Sequence, residues 1–129
     1  MMIKPNTMVK RKPTLLATET QSDSVVLTFK VDSDILDFTG HFPHFPLLPG
    51  VTQIDWALHY AREYLLVPSA FKGMEVVKFQ EPILPNATIQ LTLVWNAEKN
   101  KLSFSYNSQR GDNTVTHSSG KMKLGEPSV

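Results

Sequence analysis

Three observations predict an α+β domain. One long segment with helical spacing runs from Gly50 to Leu66 and is halted by Pro68. Segments with strand-like alternation flank it on both sides. The segments that close the chain are separated by polar links of hairpin length, which makes them antiparallel neighbours. A helix against a run of antiparallel strands is an α+β layout. With 129 residues, the chain makes one domain of ordinary core size.

The chain opens with residues 1–13, which carry Lys4, Lys10, Arg11, Lys12 and two prolines and read as a flexible arm. The alternative for Lys10–Lys12 is charge docking of an acidic partner. A first short strand is expected near Thr14–Glu19, and a second over Ser24–Val31, with Val25, Leu27, Phe29 and Val31 on one face. Asp32-Ser33-Asp34 is a turn cluster. From Gly40 to Pro49 come three prolines and two histidines. Each proline fixes its own φ and drives its predecessor out of the helical region, so this is a stiff irregular loop. Such a loop holds a histidine still.

Beyond Pro49, Val51, Ile54, Leu58, Ala61 and Leu65 recur at helical spacing and predict a helix over Gly50–Leu66, about 25 Å long. Trp56, Tyr60 and Tyr64 form a second stripe, leaving Asp55, His59, Arg62 and Glu63 as the polar remainder. A helix so apolar around its girth is expected to be wrapped by a sheet. Asp55 would then be a carboxylate on a largely buried helix, costly unless paired or used. A strand over Ala70–Phe79, a turn at Pro82, Pro85 and Asn86, and strands over Ala87–Trp95, Lys101–Asn107 and Thr114–Leu124 complete the domain, 14–124. Residues 125–129 are expected to fray.

Composition removes several function classes. Net charge is +1 with 19% charged residues, so nothing points to nucleic acid. The absence of cysteine excludes a disulfide framework, a thiol nucleophile and a thiolate zinc site. No apolar run is long enough to span a bilayer, and the first residues lack a signal-peptide core; a cytoplasmic protein is expected. No Gly-x-Ser-x-Gly elbow and no glycine-rich nucleotide loop is present, so neither a serine hydrolase nor a cofactor enzyme is expected. Asp55 and His59 stand at i, i+4, but two ligands without a third do not make a metal site.

The string Gly40-His41-Phe42-Pro43, Pro46, Pro49-Gly50-Val51 and Asp55, fourteen positions after His41, resembles the active-site signature of β-hydroxyacyl-(acyl carrier protein) dehydratases. The variant Leu48-Pro49-Gly50-Val51 with Gln53-Ile54-Asp55-Trp56 is most similar to the subgroup of aryl polyene biosynthesis. Lys78-Phe79, Pro82 and Pro85-Asn86 match a second, weaker motif, where the family usually has Pro-Gly-Asp. The resemblance covers roughly residues 24–124.

It implies the hot-dog fold, a curled antiparallel sheet around one central helix. It also implies dehydration of a 3-hydroxyacyl chain on acyl carrier protein to the trans-2-enoyl thioester, without cofactor or metal. His41 would take the C2 proton, and an imidazole is basic near neutral pH. Asp55 would handle the departing hydroxyl, as an acid whose pKa burial has raised. The Gly50 amide at the helix start would bind the thioester oxygen. With Gly50, the substrate-binding candidates are Val51, Phe42, Phe45 and Trp56, the last three as lining of an acyl tunnel. His44 is a rim or structural residue, and His117 a surface or cross-strand one. The family forms each site from two subunits, so a homodimer or larger homo-oligomer is expected. Lys72, Lys78, Arg110, Lys121 and Lys123 are candidates to meet an acidic carrier protein. The competing readings are a hot-dog thioesterase and a non-catalytic acyl-binding domain. The subgroup that also isomerises the double bond resembles this chain in having aspartate at position 55.

Overall fold

The computed structural model describes residues 9–39 and 46–127. His41, Phe42, His44 and Phe45, all singled out from sequence, lie outside the described residues. Two strands, β1 (Thr14–Thr20) and β2 (Ser24–Lys30), precede a 3-10 turn over Leu36–Phe38. Helix α1 (Gly50–Tyr64) follows, and then β3 (Ala70–Phe79), β4 (Thr88–Asn96), β5 (Lys101–Arg110) and β6 (Asn113–Gly125). All five pairings are antiparallel and build one six-stranded sheet in the order β1-β2-β4-β5-β6-β3. The expected single helix and antiparallel sheet are therefore present. No described helix is long and apolar enough to cross a membrane.

Strand alternation builds the core. Val25, Leu27 and Phe29 of β2, Ile89, Leu91 and Leu93 of β4, and Leu102, Phe104 and Tyr106 of β5 all point to one face and are buried. Against them lie Trp56, Ala57, Tyr60 and Ala61 of α1. Phe29 is the junction: its ring meets Trp56 edge-on at 5.7 Å and Tyr60 in a stack at 6.0 Å.

Periodicity predicts the helix but does not say which side of it is buried. Its buried face is Thr52, Gln53, Trp56, Ala57, Tyr60 and Ala61, whereas Val51 is 76% exposed and Ile54 and Leu58 are only half-buried. Trp56 and Tyr60 of the second stripe face the sheet together with Ala61 of the first. Two polar residues sit on that face because their hydrogen bonds are satisfied there: Thr52 donates to Asp37, and the Gln53 side chain bridges two partners. Asp55 accordingly lies on the opposite, exposed side.

The helix also ends at Tyr64, two residues short of expectation, where Leu65 turns extended while still donating to the Ala61 carbonyl at 2.9 Å. Ser108–Asn113, expected as a link, is mostly strand: β5 runs to Arg110 and turns on Gly111 at φ +64°. The described part of the N-terminal arm is tied down. Leu36 N–H donates to the Lys10 carbonyl at 2.8 Å, and Trp56 Nε1–H donates to the Arg11 carbonyl at 3.0 Å.

Candidate active site

Helix α1 starts abruptly because Pro49, at φ −60° and ψ 148°, is its N-cap and offers no side-chain acceptor. The Thr52 and Gln53 amides turn back to the Pro49 carbonyl at 3.1 and 3.2 Å. The amides of Gly50 and Val51 have no acceptor among the described residues. They stand at the positive end of the helix dipole, where an oxygen gaining negative charge is favoured.

An apolar groove of about 580 Å³ lies against this helix start. Leu47, Leu48, Gly50, Val51, Ile54, Phe79 and Pro82 line it, with Gln53 and His117 as its buried polar members. Glycine at position 50 is a matter of close approach. A Cβ there would sit 2.6 Å from Phe79 Cζ, inside van der Waals contact.

The groove wall is rigid for identifiable reasons. Gln53 donates from Nε2 to the Leu48 carbonyl at 3.2 Å and accepts from the Ser118 hydroxyl at 2.6 Å. Leu48 N–H donates to the Ile83 carbonyl at 2.9 Å. His117 Nδ1 lies 3.0 Å from the Glu81 carbonyl, which can only accept, so Nδ1 carries the proton. In the neutral ring Nε2 then accepts from the Ser108 hydroxyl at 2.7 Å. His117 is thus a buried groove residue, 5% exposed, and of the two readings expected it is the cross-strand one, bonded to Ser108 of β5, and not the surface one. A β-bulge explains the difference. Tyr106 pairs with Ser118 but Asn107 with Thr116, so His117 is the extra residue and the face of β6 changes there.

Asp55 lies in a separate polar cleft with Lys12, His59, Arg62 and Glu63. His59 pairs with Glu63 at 3.3 Å, and Arg62 donates to the Ser69 carbonyl, so neither is committed to Asp55. No ion pair to Asp55 exists among the described residues. The burial expected of this carboxylate is not supplied within one chain, where Asp55 is exposed.

Of the other sequence-nominated residues, Gly50 and Val51 do line the groove. Trp56 does not: it is 1% exposed, packed on Phe29 and hydrogen-bonded to Arg11, a core residue and not a tunnel wall. Among the described residues no group of three or more His, Cys, Asp or Glu could hold a metal. Phe79, Gln53 and His117 were not nominated for the groove, though Phe79, within the Lys78-Phe79 motif, and Gln53, within Gln53-Ile54-Asp55-Trp56, carried a signal in the sequence.

Comparison with known proteins decides the family, because the model of the ApeI dehydratase matches residues 17–121. The chain belongs to the ApeI-like dehydratase family. An uncharacterised protein from Erwinia carotovora subsp. atroseptica superposes on this ApeI-like chain with a TM-score of 0.77 at 42% identity, covering 89% of this chain and 97% of that one. The ApeI:P dehydratase heterocomplex of Xenorhabdus doucetiae gives a TM-score of 0.76 at 37% identity, covering 87% and 96%. Among curated relatives, the 3-hydroxyacyl-[acyl-carrier-protein] dehydratase FabZ of Koribacter versatilis is 32% identical over 76 residues, 50% of this chain and 49% of that protein. The chain thus spans about half the length of the curated relatives it matches. The ApeI-like architecture is the hot-dog fold of these dehydratases.

Proposed function

We propose that this ApeI-like chain removes water from 3-hydroxyacyl thioesters borne on acyl carrier protein and releases the trans-2-enoyl thioester, in aryl polyene or fatty-acid-like biosynthesis. The observation that carries this reading is the apolar groove opening on the helix start at Gly50, in a chain whose signature runs from His41 to Asp55. The acyl chain lies along Val51, Ile54 and Phe79. The Gly50 amide takes the thioester oxygen as C2 loses its proton to His41, and Asp55 assists loss of the C3 hydroxyl. Each preorganised donor of this kind is worth about 10²–10³ in rate.

Two copies complete the site in this reading. Asp55 is exposed on the single chain, as are Val51 at 76% and Phe79 at 51%, and a second chain would bury them. A homodimer satisfies this; the Xenorhabdus relative was solved as a heterocomplex. Lys78 and Lys121, exposed beside one another with Ser103 and Ser119, are candidates for the carrier surface. We place the activity in the cytoplasm, which fractionation would check.

The test is incubation of purified protein with a 3-hydroxyacyl carrier protein, read by mass for loss of water. His41→Ala and Asp55→Asn should each abolish it. Release of free acid that is indifferent to His41→Ala would transfer the chain to the thioesterases. Absence of turnover on every chain tried would leave an acyl-binding domain.

A further inference from the structure

The carboxylate of Asp37 sits in the 3-10 turn, only 9% exposed, and collects three hydrogen bonds. Thr52 Oγ1 donates at 2.6 Å from the first turn of α1. Arg11 donates from Nε at 2.7 Å and from Nη2 at 3.3 Å. The turn, the helix start and the N-terminal segment therefore meet at one buried anion. Main-chain bonds reinforce the same junction, from Leu36 to the Lys10 carbonyl and from the Trp56 ring to the Arg11 carbonyl.

The junction spans the two ends of the segment that carries the dehydratase signature. Asp37 stands just before it and Thr52 near its far end, fifteen residues apart. A charge-assisted hydrogen bond is short and directional, so it fixes where the first helical turn sits in a way an apolar contact of equal size does not. Neither residue lines the groove, so neither touches the acyl chain.

We propose that Arg11, Asp37 and Thr52 form a clasp that sets the helix start, and with it the Gly50 amide, against the chain entering the signature segment. Asp37 and Thr52 are positioning residues, and Arg11 makes the N-terminal segment part of the working enzyme. The proposal rests on the dehydratase reading for its kinetic consequence but not for its structural one.

The experiment compares Thr52→Val, which keeps shape and loses the hydroxyl, with Thr52→Ser, which keeps the hydroxyl. Misplacement of a reacting group by about 1 Å costs about 100-fold, so kcat should fall by about 10- to 100-fold in Thr52→Val while KM stays within about twofold. Thr52→Ser should recover most of the rate. In parallel, hydrogen exchange at the Gln53 amide, which donates to the Pro49 carbonyl, should quicken in Thr52→Val and return toward the parent rate in Thr52→Ser. Parent-like kcat and exchange in Thr52→Val would overturn the clasp, as would a loss confined to KM. If the parent protein has no dehydratase activity, that reading fails alone, and the exchange measurement still decides the clasp. Should Thr52→Val not fold, Arg11→Met carries the same two readouts at a side chain that is 57% exposed.

Discussion

Tyr106 donates its phenolic hydrogen to the main-chain carbonyl of Gln53 across 2.6 Å, joining the centre of β5 to the first turns of α1. Both residues are buried, and the Gln53 side chain is at the same time tied to Ser118 on β6. Removing the hydroxyl leaves a buried carbonyl short of a partner. Tyr106→Phe should therefore destabilise the fold by about 1–2 kcal/mol, read as a lower urea midpoint with unchanged slope.

Burial also governs how the tyrosines ionise. Desolvation, helped by the charges of Glu63 and Tyr64, pushes the Tyr60 hydroxyl up to about 12, and burial takes Tyr106 well above its ordinary value. Tyr60 and Tyr106 should contribute no phenolate absorbance until the pH nears about 12. Because the folded values are raised, the unfolded chain loses these protons first. The associated stability is complete below the ordinary value of 10.0 and is lost as pH rises from there. Unfolding midpoints should fall steeply across that alkaline window, and a flat profile would count against it.

Asp37 has the opposite dependence. Burial raises its pKa, but the hydrogen bonds from Arg11 and Thr52 and the charge of Arg11 outweigh burial and hold it below the ordinary 3.8. A lowered folded value gives stability that is present above the unfolded pKa and is lost as pH falls through the folded one. Asp37→Asn should thus cost stability at neutral pH, and its deficit against the parent should shrink below about pH 4. Urea titrations at neutral and acid pH would show it.

Two glycines should respond differently to alanine. At Gly120 the new Cβ would lie 2.7 Å from the Val76 carbonyl oxygen and equally close to the Phe104 ring, and the backbone cannot swing away. Gly120→Ala should cost about 1–3 kcal/mol. At Gly50 the obstacle is only the half-exposed ring of Phe79. Gly50→Ala should keep the fold but push that ring, and a raised KM for longer acyl chains is the expected signature.

The strands were legible because β2, β4 and β5 alternate strictly, with one face buried and the other not. Helix α1 was legible in extent but not in orientation. Thr52 and Gln53 are polar, and only their distant partners, Asp37 and Ser118, make an inward position cheap. The burial of His117 was hidden for a related reason: a one-residue bulge shifts the alternation of β6, and nothing local in the sequence marks it. The signature from Gly40 to Asp55 pointed to the family, yet the exposed side of α1 that carries Asp55 follows from packing alone.

The strand order has a consequence for how the chain is made. β3 leaves the helix and crosses to the far edge of the sheet, where it pairs only with β6. Its partner β6 follows only after β4 and β5, and Phe79 pairs with Ser118 and Phe71 with Leu124. At roughly 5–20 residues per second on the ribosome, β3 waits several seconds with that edge unpaired. The sheet therefore cannot close until β6 has been made, and the nascent chain is most prone to aggregate in that interval.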